Sequence, residues 1–340
     1  MGRLPVVDVL AGHPHFVRHT EAVWRAMPPE MRGAFYTTRA LDPGLSELAR
    51  NSRGGRGDLT LVCSYGDLVS ATINDNGVNG RPVVFMEHGA GFTFADPTTG
   101  IAYSSYSGSP DRPQVALFLN PNEYVSRANA RAHPSTPQVT IGTPAMDRWY
   151  NDPPTTPYQR GEAELPTVAL SFHWDCALAP GTRSTYRHFH GKLDEVAHSE
   201  HWNFVGTAHP RMRVQASLEY NTLGVPFVEN PDDILATADL LIFDATSFGY
   251  EFASLNRPVV VMNAPWYRDE PDDGIRFWQH IPGIQVDEPS DLHEAVLDAL
   301  DDTLLVQHQR QAAIEAVYPY RGDAAARAVA AITEFGRTFG

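Results

Sequence analysis

Cysteine is nearly missing from this chain: Cys63 and Cys176 are its two thiols in 340 residues. Two thiols alone make neither a disulfide framework nor a thiolate metal site. Each lies in an apolar context (LTLVC, SFHWDCAL), which suits a buried free thiol. Long apolar runs are missing as well, since none reaches the ~18–20 residues a membrane span needs. The opening MGRLPVVDVLAGHPHF has a short apolar stretch and no small-residue cleavage site after it. It reads as a first strand, Val6 to Leu10, and cytoplasmic residence is the expectation. Positive charge is scarce: 26 Lys and Arg face 41 Asp and Glu, a formal net charge of −15. That balance excludes broad contact with nucleic acid or anionic lipid, so no nucleic-acid partner is expected. It leaves room for a small phosphate site built from helix N-termini and a few His or Arg.

What is present is the balance of a folded globular protein, 42% hydrophobic and 20% charged, at a length that predicts two domains. In the N-terminal half, short β-type runs at Val6–Leu10, Gly33–Thr37, Leu59–Cys63, Pro82–Glu87, Val115–Leu119 and Gln138–Ile141 alternate with helical stretches at His15–Met27, Gly66–Ile73 and Asn122–Arg131. The segment 151–166, NDPPTTPYQRGEAELP, is rich in proline and reads as a linker between residues 1–150 and 167–320. Beyond it the alternation is cleaner. Strands are expected at Thr167–Phe172, Asn203–Thr207, Pro226–Glu229, Leu240–Asp244 and Pro258–Asn263, with helices at Ser184–Ser199, Met212–Leu223, Pro231–Ala238 and Ser247–Leu255. The strands are nearly all apolar, as in a parallel sheet covered on both faces. Such βα alternation predicts two doubly wound α/β domains that bind ligand at the carboxyl ends of their strands.

Three segments carry chemistry. In DDILATADLLIFDATSFGYEFASLNRPVVVMNAP, residues 232–265, a strand stops in a small polar turn and a helix begins at once. Thr246 and Ser247 are its capping residues, the helix start suits a phosphate, Gly249 permits close approach, and Glu251 is a carboxylate for ribose hydroxyls. In HWNFVGTAHPRMR, residues 201–213, a strand ends before His209 and Pro210, with Arg211 and Arg213 adding charge for a pyrophosphate. In RPVVFMEHGAGFTF, residues 81–94, an apolar strand runs into Glu87 and His88, and Gly89 and Gly91 permit a tight turn. His88 is suited to remove a proton from an alcohol near neutral pH, and a structural histidine is the competing account. His13 and His15 follow the first strand at its ligand end and are acceptor-side candidates. The acidic pairs Asp232–Asp233, Asp272–Asp273 and Asp301–Asp302 read as solvated faces, and the scattered histidines lack a zinc spacing, so no metal is expected.

In this order the segments resemble the CDP-glycerol glycerophosphotransferase family, which builds teichoic acid polymers. The family's strand ending in His-Gly is similar to EHGAG, and its Gly-x-Pro-x-x-Asp element to IGTPAMD, with Gly142, Pro144 and Asp147. Its His-Pro strand end is similar to AHPRM, and its acidic-small-Ser-Ser turn followed by a Lys/Arg-Pro strand to DLLIFDATSFGYEFASLNRPVV. The tail PYRGDAAARAVAAI, with Gly322 and Arg327, resembles the closing helix. The resemblance covers roughly residues 80–330, and Glu87 stands where the family usually has Trp.

Membership implies a GT-B fold: two Rossmann-like domains facing a central cleft, with residues 321–340 as a closing helix across it. It implies transfer of a glycerophosphate group from a nucleotide-activated donor to a hydroxyl acceptor without a metal or other cofactor. His88 would be the general base, and Thr246, Ser247, Gly249, Glu251, His209, Pro210 and Arg211 would hold the donor. The run TSFGYEFASLNRPVV is also similar to the donor sites of capsule sugar transferases and UDP-sugar 2-epimerases. A nucleotide-sugar glycosyltransferase, an epimerase and a non-catalytic nucleotide-binding protein therefore stand as alternatives.

Overall fold

The computed structural model describes residues 3–37, 57–64, 66–68, 81–91, 93–95, 102–104, 115–156, 158–159, 161, 164–175, 184–266 and 280–339. They form two units, Met1–Asn151 with Tyr318–Gly340 and Asp152–Val317. Cys176, Asp272–Asp273 and most of the helix expected at Gly66–Ile73 lie outside the described residues.

The first unit begins with β1 (Val7–Leu10), α1 (Pro14–Ala26), β2 (Arg32–Tyr36), β3 (Leu59–Val62) and β4 (Val83–Met86). The short antiparallel pair β5 (Thr93–Ala95) and β6 (Ala102–Ser104) follows, then β7 (Val115–Asn120), α2 (Glu123–Ala132), β8 (Gln138–Thr140) and α3 (Asp147–Asn151). Six of these strands make one parallel sheet in the order β2-β1-β3-β4-β7-β8. Strands β3 and β4 are buried at every position, which explains why they are apolar apart from Thr60. Asp8 is the exception inside β1. Its buried carboxylate accepts Ala34 N–H at 2.7 Å and Gly57 N–H at 2.8 Å and pairs with Arg81 at 2.9 Å. Burial without those partners would be costly.

The second unit has β9 (Thr167–Phe172), α4 (Tyr186–Phe189), α5 (Asp194–Ala197), β10 (Asn203–Ala208), α6 (Arg213–Thr222) and α7 (Pro231–Thr237). It continues with β11 (Leu240–Phe243), α8 (Ser247–Ala253), β12 (Val259–Met262), β13 (Ile284–Val286), α9 (Leu292–Asp301) and α10 (Leu304–Val317). Its five-stranded parallel sheet runs β10-β9-β11-β12-β13. Phe172, Phe189, Trp202, Tyr220, Ile242 and Val260 are among the residues that fill its core. The single helix expected over 184–199 is two short ones, because Gly191 breaks it with φ of 71°. The strand expected at Pro226–Glu229 is one bridge, Gly206 to Phe227.

Several sequence motifs turn out to hold the chain together. The proline-rich segment is bound into the second unit: Thr156 Oγ1 bonds the Asp239 carboxylate, and the Pro154 carbonyl accepts from Arg257 at 3.0 Å. Arg257 is fully enclosed and also donates to the carbonyls of Leu235 and Ala238, both at 2.8 Å, closing the end of α7. Burial lowers its pKa to about 10. Of the pair Asp301–Asp302, Asp301 is exposed as expected, while Asp302 binds the buried Arg310 guanidinium at 2.8 and 3.0 Å. The last helix, α11 (Ala324–Gly336), belongs to the first unit and packs on α1.

Candidate active site

In both sheets the strand order reverses once, between β1 and β3 in the first and between β9 and β11 in the second. Doubly wound folds bind ligands at the carboxyl ends of the strands beside such a reversal. Sequence-predicted residues gather at both places.

In the first unit, β1 runs out through Gly12, whose N–H donates to Asp67 Oδ1 at 2.9 Å. A Cβ on Gly12 would collide with that carboxylate, so the close approach requires glycine. His13 then precedes α1, exposed, with its ring stacked 5.6 Å from His15. The next turn of α1 brings Phe16 and His19 inward. Strand β4 delivers Glu87, 2% exposed, and then His88. Phe16 meets the His88 ring edge-on at 4.9 Å, and His19 faces it at 5.4 Å. His88 Nδ1 lies 2.8 Å from the Cys63 carbonyl oxygen. A carbonyl accepts only, so Nδ1 carries the proton and Nε2 is the unprotonated nitrogen of the neutral ring. Burial first, then the neighbouring His15, lowers the His88 pKa to about 3. Near neutral pH this imidazole is therefore uncharged.

The glycines after His88 shape the turn. Gly89 and Gly91 both have φ of 69°, a left-handed backbone that side chains resist. The Gly91 hydrogen also faces Val125, where a Cβ would not fit, and Asn122 donates to the Ala90 carbonyl at 2.9 Å. The loop that follows β4 is thus fastened to the start of α2.

In the second unit, β11 ends at Asp244, which is wholly buried. Its carboxylate accepts His173 N–H at 2.7 Å, Thr185 N–H at 3.0 Å and the Ser184 hydroxyl at 3.1 Å. It ties the end of β9 to the segment before α4. Thr246 caps α8, accepting Phe248 N–H at 3.3 Å, and Ser247 stands half-buried at the first helical position. After β10, His209 Nδ1 accepts the Arg211 backbone N–H at 3.2 Å across Pro210. In its neutral form His209 therefore carries its proton on Nε2 and is a donor. His173 approaches the same ring at 5.1 Å, and Trp174 lies 6.1 Å from it. Arg211 stacks its guanidinium 4.2 Å over Trp174. Burial lowers the His173 pKa to about 4.

Two residues expected at the donor site are packed against the fold. The space where Gly249 would carry a Cβ is taken by the Phe243 ring, so the glycine serves packing there. Glu251 is 2% exposed, on the inner side of α8. The Gly-x-Pro-x-x-Asp element is a docking device for α11. Asp147 accepts the N–H groups of Ala324 and Ala325, while Gly142, at φ of 90°, makes way for the Tyr320 backbone.

Residues that sequence reasoning missed complete both clusters: Phe16, His19 and Asp67 in the first, His173 and Trp174 in the second. The spacing of His15 and His19, four apart on an amphipathic helix, was the available signal for one helical face. Among the described residues no group of three or more His, Cys, Asp or Glu is placed to hold a metal ion. None of the described helices is long and apolar enough to cross a membrane.

The family model for CDP-glycerol:poly(glycerophosphate) glycerophosphotransferase matches residues 109–334. The chain belongs to that family. It is accordingly an enzyme of the transferase kind, and its two parallel sheets are those of a GT-B protein. Among solved structures it is similar to the wall teichoic acid polymerase TagF, at 15% identity and a TM-score of 0.61 over 98% of this chain and 90% of that one. A TagF variant soaked with CDPG gives 14% and 0.60, over 98% and 89%. The S. aureus MnaA–UDP co-structure gives 13% and 0.61, over 98% and 97%. No curated protein matches the sequence.

Proposed function

We propose that this glycerophosphotransferase-family enzyme moves the glycerophosphate group of CDP-glycerol to a hydroxyl acceptor, with the first unit activating the acceptor and the second holding the donor. The observation that carries the reading is the opposite protonation of two histidines. The neutral His88 ring carries its proton on Nδ1, and the neutral His209 ring carries its proton on Nε2. The acceptor hydroxyl gives its proton to His88 Nε2 as its oxygen attacks the distal phosphorus. The new O–P bond forms, the bridging P–O bond breaks, and CMP leaves with the electron pair. His209 Nε2–H, the Arg211 guanidinium and the Thr246–Ser247 turn receive the charge of the phosphates. Charge stabilisation in this scheme comes from protein groups, so turnover is expected to survive EDTA.

CDPG is the compound soaked into the TagF variant, which supports a CDP-alcohol donor here. A second reading has its own support in the similarity to MnaA bound to UDP. A nucleotide sugar would then occupy the second unit, and a nucleoside diphosphate would leave. Incubation with CDP-glycerol, CDP-ribitol and UDP-, GDP- and CDP-sugars, followed by identification of the released nucleotide, separates the two. CMP released from a CDP-alcohol, and lost in His88→Ala, is the expected result. Release of UDP, GDP or CDP instead would overturn it.

A further inference from the structure

The loops that follow β9 and β10 meet through one side-chain pair. Arg211, exposed after His209 and Pro210, lays its guanidinium 4.2 Å over the ring of Trp174. Among the described residues no carboxylate or carbonyl takes the guanidinium N–H groups. Arg213, two residues on, is different, since Glu229 meets its charge at 3.1 Å. Acidic side chains outnumber basic ones 41 to 26 in this chain, yet the partner given to Arg211 is an aromatic ring. A ring face attracts the cation and fixes the plane of its fork without occupying the donors, whereas a carboxylate would take two of them. Trp174 is itself held in place. It is half-buried against the core of the second unit, and the residue before it donates its backbone N–H to Asp244 at 2.7 Å. Asp244 stands two residues before the Thr246 cap of α8. Strands β10, β9 and β11 are neighbours in the sheet, so cation, ring and helix cap come from the carboxyl ends of three adjacent strands.

We propose that Trp174 is a positioning residue for the nucleotide phosphates, holding the Arg211 guanidinium in one orientation with its N–H groups open to the anion. The proposal rests on the second unit as the holder of the donor phosphates, and it adds the residue that orients the cation there. Arg211 makes the contact, and Trp174 acts through it. Without the ring, a long side chain is left with free rotamers, and ordering it on binding costs part of the affinity. A leucine in place of Trp174 fills apolar space but offers no π face. A Trp174 that served packing alone would set stability and be indifferent to whether the ligand carries phosphate.

The full chain is titrated with CDP, UDP, cytidine and uridine, followed by NMR, as wild type, Trp174→Phe, Trp174→Leu, Arg211→Ala and the double variant Trp174→Leu with Arg211→Ala. Tm is recorded for each. The diphosphate that wild type binds should bind Trp174→Leu about three- to tenfold more weakly, within the range for a cation–π contact, and Trp174→Phe should recover most of the loss. Once the guanidinium is gone the ring has nothing to orient, so Trp174→Leu should add little to Arg211→Ala. Nucleoside binding should be the same in wild type and Trp174→Leu. In unliganded wild type the Arg211 Nε–H order parameter should exceed about 0.6, the value below which a group counts as flexible, and this reading holds even if Trp174→Leu does not fold. A flexible Arg211 in wild type, losses that add in the double variant, or unchanged diphosphate affinity in a folded Trp174→Leu would overturn the proposal. An equal loss for the nucleosides would place the base on the ring and overturn it as well. Wild type that binds neither diphosphate would instead overturn the donor site itself, and the proposal with it.

Discussion

The Nδ1 atom of His88 stands 2.8 Å from the carbonyl oxygen of Cys63, and this contact fixes how the imidazole acts. The carbonyl accepts the Nδ1–H hydrogen bond and leaves Nε2 as the basic atom. At His209 the polarity is reversed, because the Arg211 N–H occupies Nδ1. Ring ¹⁵N spectra at pH 7 are expected to show the Nδ1–H tautomer at position 88 and the Nε2–H tautomer at 209. His88→Gln should lower the transfer rate by about 10²–10⁴-fold, the range for a lost general base, with donor affinity unchanged. His209→Gln should weaken donor affinity. A His88→Gln variant that keeps its rate would remove His88 from the chemistry.

Both lowered histidines make stability depend on acid. The His88 and His173 pKa values fall to about 3 and about 4 in the fold, from the ordinary histidine value of 6.5. Below the unfolded value the open chain binds protons that the folded chain refuses, so stability rises with pH across that window. The contribution is complete above 6.5 and is lost as pH falls towards 4 and then 3. Urea midpoints taken between pH 7 and pH 4 should decline, and His173→Gln should flatten the decline. An equal slope in that variant would assign the acid sensitivity to other groups.

Apolar runs and turn residues made most of the strands legible, because a parallel sheet buried on both faces leaves a pattern that few other structures share. Strand β9 lies where the sequence places it, Thr167–Phe172, and Thr246 caps α8 as its side chain suggests. Strand β13 escaped notice: it is three residues long, with Gln285 exposed. Contacts between distant residues left no local trace. Nothing near Asp239 announces Thr156, and nothing near His88 announces His19 from α1. Periodicity reports that a side chain is buried, and the tertiary fold decides what it meets. For the same reason nothing in the sequence around Gly249 announces the Phe243 ring that packs against it.

Asp147 offers a test of the motif that docks the last helix. It takes Ala324 N–H at 3.0 Å and Ala325 N–H at 2.7 Å, satisfying two of the donors that a helix start leaves open. Asp147→Ala should cost about 1–2 kcal/mol, the usual loss of an N-cap, and Asp147→Asn less. Urea unfolding measures the difference. Amide exchange should show the first turn of α11 opening more readily in the alanine variant. An unchanged midpoint with unchanged exchange would mean that the packing of α11 on α1 suffices without the cap.

Gly249→Ala separates a packing glycine from one that admits a ligand. The added methyl points at the Phe243 ring, which belongs to the last residue of β11, directly before Asp244. The ring must move or α8 must shift, and overpacking of this kind costs about 1–3 kcal/mol. A shift of α8 would also carry the Thr246 cap with it, so donor binding should fall along with stability. Phe243→Leu relieves the crowding by replacing a flat ring with a smaller side chain. In the double variant both stability and donor affinity should recover part of their loss, because both effects pass through one contact. If Gly249→Ala instead abolishes donor binding at full stability, and Phe243→Leu does not help, the glycine faces the ligand and the packing account is wrong.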